Sequence, residues 1–222
     1  MALVTLAGAD LLEGEVHLPP FGPWFAHLKI DDPSIAPGPA TLAAANGLSL
    51  AGYITEVGEF LGASHAHMVG GAGGLATQVS GAWRQAQLRD PVQAVVAAAG
   101  EKLSSTVDAS LLDTPLAYWS LFRKGAALAL AELCGAASRL VGQAIGWRFL
   151  ADGTLWLGVE SWPAASLPEG ADVLLVHPEE GRYVIGCDTP SLLPGVDLAG
   201  VGHVLAVDHF LEADKVRTWA WV

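Results

Sequence analysis

The sequence predicts an α+β chain, mainly β, in which two related β modules are separated by a helical insert. Three observations carry this expectation. Apolar residues alternate at period two in the first eighty residues and again from Trp147 onward. The middle instead shows three- and four-residue apolar spacing, and a segment of the first β region recurs in the last. The expected division is a first β module over 1–83, a helical insert over 84–146 and a second β module over 147–222. With 222 residues, 52% hydrophobic and 15% charged, the chain can bury a real core, and its 26 Gly and 13 Pro cut it into short elements.

In the first module, "WFAHLKI" places Trp24, Ala26, Leu28 and Ile30 on one strand face. The turn clusters "LPPFGP", "DDPS", "APGP" and "ANG" suggest a β meander around it. "GLSLAGYITEVGEFLGASHAHMVGG" reads as a strand or hairpin that ends in glycines. In the insert, Asp90 is read as an N-cap with Pro91 at N1 and Gln93 at N3. Val92, Val95, Val96 and Ala99 then share a face until Gly100. A second helix start is placed at Thr114-Pro115. Leu116, Trp119 and Phe122 continue it, followed by Ala126, Leu130, Leu133, Ala137 and Leu140. One bent helix, or two broken near Lys124-Gly125, fits this pattern equally.

The second module opens on "GWRFLADGTLWLGVESWP", where Asp152-Gly153 signals a hairpin because a two-residue loop needs positive φ at both positions. That loop pairs Phe149 with Trp156 and Leu150 with Leu155. "DVLLVHPEEGRYVIGC" and "GHVLAVDHFLEADKVRTWAWV" read as further hairpins. The repeat aligns Gly47–Gly52 with Gly195–Gly200. After a two-residue insertion it aligns 53–69 with 203–219. Identical pairs include Leu50/Leu198, Val57/Val207, Phe60/Phe210, Leu61/Leu211 and Ala63/Ala213, which argues for one supersecondary unit used twice.

Composition excludes several function classes. Eleven basic against 23 acidic residues give a net charge of −12, which opposes gripping nucleic acid through phosphate neutralisation. It is compatible with a surface past which nucleic acid slides without adhering. Two cysteines, Cys134 and Cys187, form neither a disulfide framework nor a zinc spacing and read as buried small hydrophobes. "MALVTLAGADLLEGEV" has no basic n-region, so no signal peptide is expected. The apolar run from Gly125 to Trp147 contains Glu132 and Arg139, so no membrane anchor is expected either.

Few motifs point to chemistry. Gly71 to Ala76 fits a relaxed GxGxxA fingerprint, but no parallel-core strand precedes it, so a glycine-rich bend is expected rather than a cofactor site. His65 and His67 would share a strand face without a third ligand fixed by spacing, and the repeat puts Lys215 and Arg217 at the matching positions. His177, His203 and His209 are scattered. No GxSxG elbow occurs. Catalytic residues, cofactors and metals are therefore expected to be absent. The eight tryptophans read as core and interface anchors, with a sugar-binding face as the alternative.

The run "YWSLFRKGAALALAELCGAASRLVGQAIGWRFLADGTLWLGVESWP" resembles the stretch of phage tail baseplate hub proteins where an Ala/Leu-rich helix leads into a W-R-x-x-x-D-G-T-x-W-x-G hairpin. "LLPGVDLAGVGHVLAVDHFLEADKVRTWAWV" is similar to that family's last strands, with a "PG…L.G" start and a late "RT.W" strand. "PPFGPWFAHLKID" and "VGGAGGL" are similar to its first module. The resemblance implies two tail-tube-like β-barrels per chain and a homotrimeric ring with a pseudo-sixfold face. Such a hub meets a hexameric tail tube on one side and a threefold spike or other distal tail protein on the other, with a tape-measure protein as a possible further partner. DNA passes only through the lumen. The implied location is the virion, at the tail tip or baseplate, after synthesis in the host cytoplasm. The same barrel pair occurs in contractile injection systems and gene transfer particles. Structural roles are expected for Trp147, Phe149, Trp156 and the turn Asp152-Gly153 at the hairpin. Further structural roles fall to Gly195 and Gly200 where the repeat begins, and to Arg217 and Trp219 in the late strand.

Overall fold

Alternating burial builds the first unit strand by strand. In the computed structural model, which describes residues 4–45, 47–167, 169–186, 191–212 and 215–222, Trp24, Ala26, Leu28 and Ile30 are all buried, as the alternation requires. Cys187 and the Ala213 half of the repeat lie outside the described residues. The strands are β1 (Val4–Leu6), β2 (Ala9–Leu18), β3 (Phe25–Ile30), β4 (Gly38–Ala44), β5 (Ser49–Phe60) and β6 (Ala63–Gly70). They close into a six-stranded barrel in the order β1-β4-β5-β6-β3-β2, with β1 bonded to both β4 and β2. Leu6, Leu42, Leu50 and Met68 fill it. A simple meander is thus corrected: β3 pairs with β6, not β4. The turn cluster after Ile30 carries the chain across the barrel end instead, where the Ser64 hydroxyl donates to the Asp32 carbonyl at 2.8 Å.

Strand β7 (Gln78–Gln87), which spans the expected boundary at residue 84, is followed by α1 (Arg89–Ala98), α2 (Ala109–Leu112), β8 (Pro115–Gly125) and α3 (Ala126–Val141). The helix expected from Thr114 is corrected here. Residues 115–125 form a strand that pairs with β7, with Trp83 directly opposite Trp119. The spacing of Leu116, Trp119 and Phe122 imitates a helical stripe, yet Phe122 is 81% exposed while Leu116 and Leu121 are buried. Cross-strand aromatic pairing outweighs the local pattern. Asp90 is likewise not the N-cap. It lies in the first turn of α1, whose cap position is Leu88, and its carboxylate accepts the Gln87 N–H at 2.8 Å. The face of Val92, Val95, Val96 and Ala99 is buried as expected, and α1 packs on α3 and β7. Helix α3 buries Ala126, Leu130, Leu133, Cys134 and Ala137, whereas Leu140 is exposed, against expectation. It ends at Gly142, whose φ of 76° supplies the left-handed cap. Burial pushes the Cys134 thiol up to about 12, so it behaves as an apolar side chain.

The remaining strands are β9 (Gly146–Phe149), β10 (Leu155–Gly158), β11 (Ala164–Ala165), β12 (Asp172–His177), β13 (Arg182–Gly186), β14 (Val196–Leu198), β15 (Gly202–Val204), β16 (Ala206–Glu212) and β17 (Val216–Trp221). Strand β2 is long enough to serve two neighbours. Its start bonds β1, while Glu13–Leu18 bond Glu212–Val207 of β16. The barrel wall therefore continues as β2-β16-β17-β13-β12, giving one antiparallel ten-stranded sheet across both β regions. The chain is α+β and mainly β, as the sequence predicts. The repeat is looser than the alignment. The first hairpin turns at Leu61-Gly62, but the matched Leu211 and Glu212 still lie inside β16. A two-residue slip keeps the inside–outside alternation, which is why the apolar match survives it.

Candidate functional site

The hairpin β9–β10 is where the parts of the molecule meet. Its turn differs from the two-residue loop expected. Leu155 pairs with Phe149 and Trp156 with Arg148. Gly153 N–H donates to Leu150 O at 2.9 Å and Leu150 N–H to Thr154 O at 2.8 Å, which closes a three-residue loop. Gly153, at φ 78°, takes the left-handed position, and Asp152 does not. The Asp152 carboxylate instead accepts the Thr154 hydroxyl (2.7 Å) and N–H (2.9 Å), and these bonds hold its pKa below the usual carboxylate range.

This register puts Phe149 and Leu155 on one face and Arg148 and Trp156 on the other. Phe149 enters the end of the barrel, touching Gly70 and Gly71 so closely that a Cβ on Gly71 would lie 2.4 Å from its ring. Trp147 meets Phe149 edge-on at 6.4 Å. Backbone bonds fasten the hairpin on three sides. Gly22 N–H donates to Trp147 O (2.7 Å), Ala51 N–H to Ala151 O (2.8 Å), and Leu155 N–H to Lys102 O (2.7 Å). On the opposite face Arg148 forks onto Glu160 and lies 4.6 Å from the Trp156 ring. Burial pulls the Arg148 guanidinium down to about 10, leaving it charged and matched. Gly195 makes room for that pair, since a Cβ there would fall 2.5 Å from Nη2 of Arg148. These groups edge a cavity of about 250 Å³ that Trp24 and Phe149 also line.

The glycine loop meets its anion within the chain. Glu101, 7% exposed, accepts N–H bonds from Ala72 (2.7 Å) and Gly74 (3.1 Å). The amides that would cradle a phosphate hold this carboxylate instead. Glu101→Gln keeps one acceptor and sets an amide donor against the other N–H. It is expected to cost about 2 kcal/mol, measured by urea titration.

The other sequence-flagged residues lie apart from the joint. Gly200, at φ 78°, makes the turn between β14 and β15. Arg217 and Trp219 lie on the outer face of β17, where Trp219 packs on Phe210 at 4.6 Å and under the Arg182 guanidinium at 4.3 Å. Beside them Asp208 bonds His17 across the seam of β2 and β16 and accepts the Trp221 indole N–H at 2.6 Å. His67 sits 4.8 Å from His27 and bonds the Thr55 hydroxyl at 2.8 Å, while His65 lies near Phe60. No cluster of three or more His, Cys, Asp or Glu able to hold a metal occurs among the described residues. None of the eight tryptophans is exposed. Trp24 and Trp147 are buried and the other six half-buried. Among the described residues no helix is long and apolar enough to cross a membrane.

No family model and no curated protein matches the chain. Solved structures do. A 43 kDa tail protein of prophage MuSo2 from Shewanella oneidensis superposes with a TM-score of 0.63 at 11% identity, covering 99% of this chain and 96% of the other. A tail protein from Neisseria meningitidis gives 0.62 at 11% identity, covering 98% and 94%. The chain has the fold of phage tail proteins. The E. coli c3393 protein, a component of the type VI secretion system described as similar to bacteriophage tail proteins, gives 0.61 at 12% identity, covering 98% and 76%. Within this tail-protein fold, the sequence reading missed the Arg148–Glu160 pair and the Glu101 carboxylate. Arg148 lies between two buried aromatics, a place where a charge needs a partner, and that was the available signal. Glu101 carries none, because its ligands are backbone amides.

Proposed function

We propose that the chain is a structural, non-enzymatic tail component: a hub adaptor whose three copies form a pseudo-sixfold ring joining a hexameric tail tube to a spike or other distal tail protein. The observation that carries this reading is the sheet running unbroken from a closed barrel into a second β region through β2 and β16. On this reading the closed barrel and the adjoining sheet β16-β17-β13-β12 act as two units side by side, and three chains bring six. The outer face of the same sheet forms an open concavity edged by Glu13, Glu15, Glu56 and Glu212. As the wall of a channel, such a face would let DNA pass without adhering. The location that follows is the tail tip or baseplate of a virion or of a related injection particle.

Light scattering on the purified chain at high concentration is expected to give three times the chain mass. A strictly monomeric species, both alone and with the cognate tube protein, would overturn the reading.

A further inference from the structure

Strand β12 is open on three sides. Its one strand neighbour is β13, and among the described residues its other edge bonds nothing. Its faces are bare as well, with Val173, Leu174, Leu175 and Val176 being 39%, 59%, 52% and 40% exposed. An edge strand normally buries one face, and four aliphatic side chains in a row on a free edge form a template for another strand. The charges around it share one sign. Glu169, Glu179 and Glu180 flank the strand, Asp172 opens it, and Arg182 on the neighbouring β13 is bonded to Glu180 at 2.9 Å.

Among the long strands, β7 also has a free edge but exposes no large apolar side chain, which leaves two edges that could receive it. One is the end of β5, whose pairing with β4 stops at Ile54 and leaves Thr55–Phe60 free on that side. The other is the ribbon strand β8, which among the described residues pairs with β7 alone. Charge separates them. The free end of β5 carries Glu56 and Glu59, the same sign as the surroundings of β12. Strand β8 contains no carboxylate, ends in Arg123-Lys124, and exposes Tyr118 (56%) and Phe122 (81%). Lys124 is bonded to Glu132, whereas Arg123 makes no ion pair among the described residues.

We infer that β12 of one copy adds to the outer edge of β8 in a second copy, extending that two-stranded ribbon to three strands. The added strand runs antiparallel to β8, so that Leu174 meets Phe122, Val176 lies towards Tyr118, and Asp172 lies within reach of Arg123. The contact is head-to-tail, each chain donating β12 and receiving on β8, which is the kind of interface that generates a ring. The number of copies rests on the ring reading above; the pairing of these two strands does not.

Disulfide trapping tests it in the full chain carrying Cys187→Ser. Leu174→Cys combined with Phe122→Cys is expected to give covalently linked chains under mild oxidation, and Leu174→Cys combined with Glu59→Cys is not. Separately, Arg123→Glu is expected to weaken self-association about tenfold in sedimentation, with Asp172→Arg restoring it. A three-chain mass trapped through Glu59→Cys would overturn this pairing and leave the ring standing. A three-chain mass indifferent to Arg123→Glu and untrapped by Phe122→Cys would do the same. A monomer under all conditions would overturn both.

Discussion

Phe149→Ala is expected to lower the unfolding free energy by about 3–5 kcal/mol, the range for removing a buried phenyl ring. The ring is 4% exposed and closes the end of the barrel against Gly70 and Gly71. Those glycines leave no side chain that could swing into the space, so the site collapses poorly and the cavity penalty falls at the upper end of the range. The loss should also spread. Phe149 belongs to a hairpin bonded to Gly22, Ala51 and Lys102, so loosening it loosens contacts with the barrel and the insert together. Phe149→Leu retains most of the volume and should cost less than half as much. Urea unfolding followed by tryptophan emission checks both, since Trp24 and Trp147 report on the same joint. A loss below about 1 kcal/mol for the alanine variant would mean the hairpin rests on the barrel without holding it.

That joint also shows what the sequence can convey. Asp152-Gly153 announces a hairpin because glycine is needed wherever the turn is left-handed, and this holds for a two-residue or a three-residue loop. The choice between them fell to the Asp152 side chain, which bonds Thr154 and keeps its own backbone out of the left-handed region. The consequence is a one-residue change of partner that moves Trp156 to the face opposite Phe149. The buried face of β3 was legible because four alternating apolar residues have no competing period. Strand β8 was not, because Leu116, Trp119 and Phe122 satisfy a helical spacing and only the pairing of Trp119 with Trp83, thirty-odd residues away, reveals the strand. The closure of β1 onto β2 and the seam of β2 with β16 are non-local pairings of the same kind. The glycines announced a bend, but the carboxylate that its amides hold, Glu101, lies 27 and 29 residues from them.

Acidification should weaken the fold through one buried side chain, His209. His209 on β16 is completely buried. One ring nitrogen lies 2.9 Å from the Thr218 hydroxyl and the other 3.1 Å from the Leu192 carbonyl, which fits a neutral ring donating to Leu192 and accepting from Thr218. Burial disfavours its charged form and pulls it down to about 4, against the smaller opposing effects of the Leu192 bond and of Asp208 beside it. Between pH 6.5 and 4 the unfolded chain therefore binds a proton that the folded chain refuses, so stability rises with pH across this window and is fully present above it. The loss on going from neutral pH should reach about 2 kcal/mol at pH 5 and about 3 kcal/mol at pH 4. The carboxylates held below their usual range, Asp32, Asp108 and Asp152, add their losses only beneath pH 3.8, so the two effects separate along the pH axis. His209→Gln can still donate to Leu192 but cannot titrate. Its stability should be flat between pH 6.5 and 4 where the parent's slopes, in urea titrations at half-unit steps. If parent and variant share one slope, His209 is not the acid-sensitive group, and the buried strand pair β16–β17 must admit water to it.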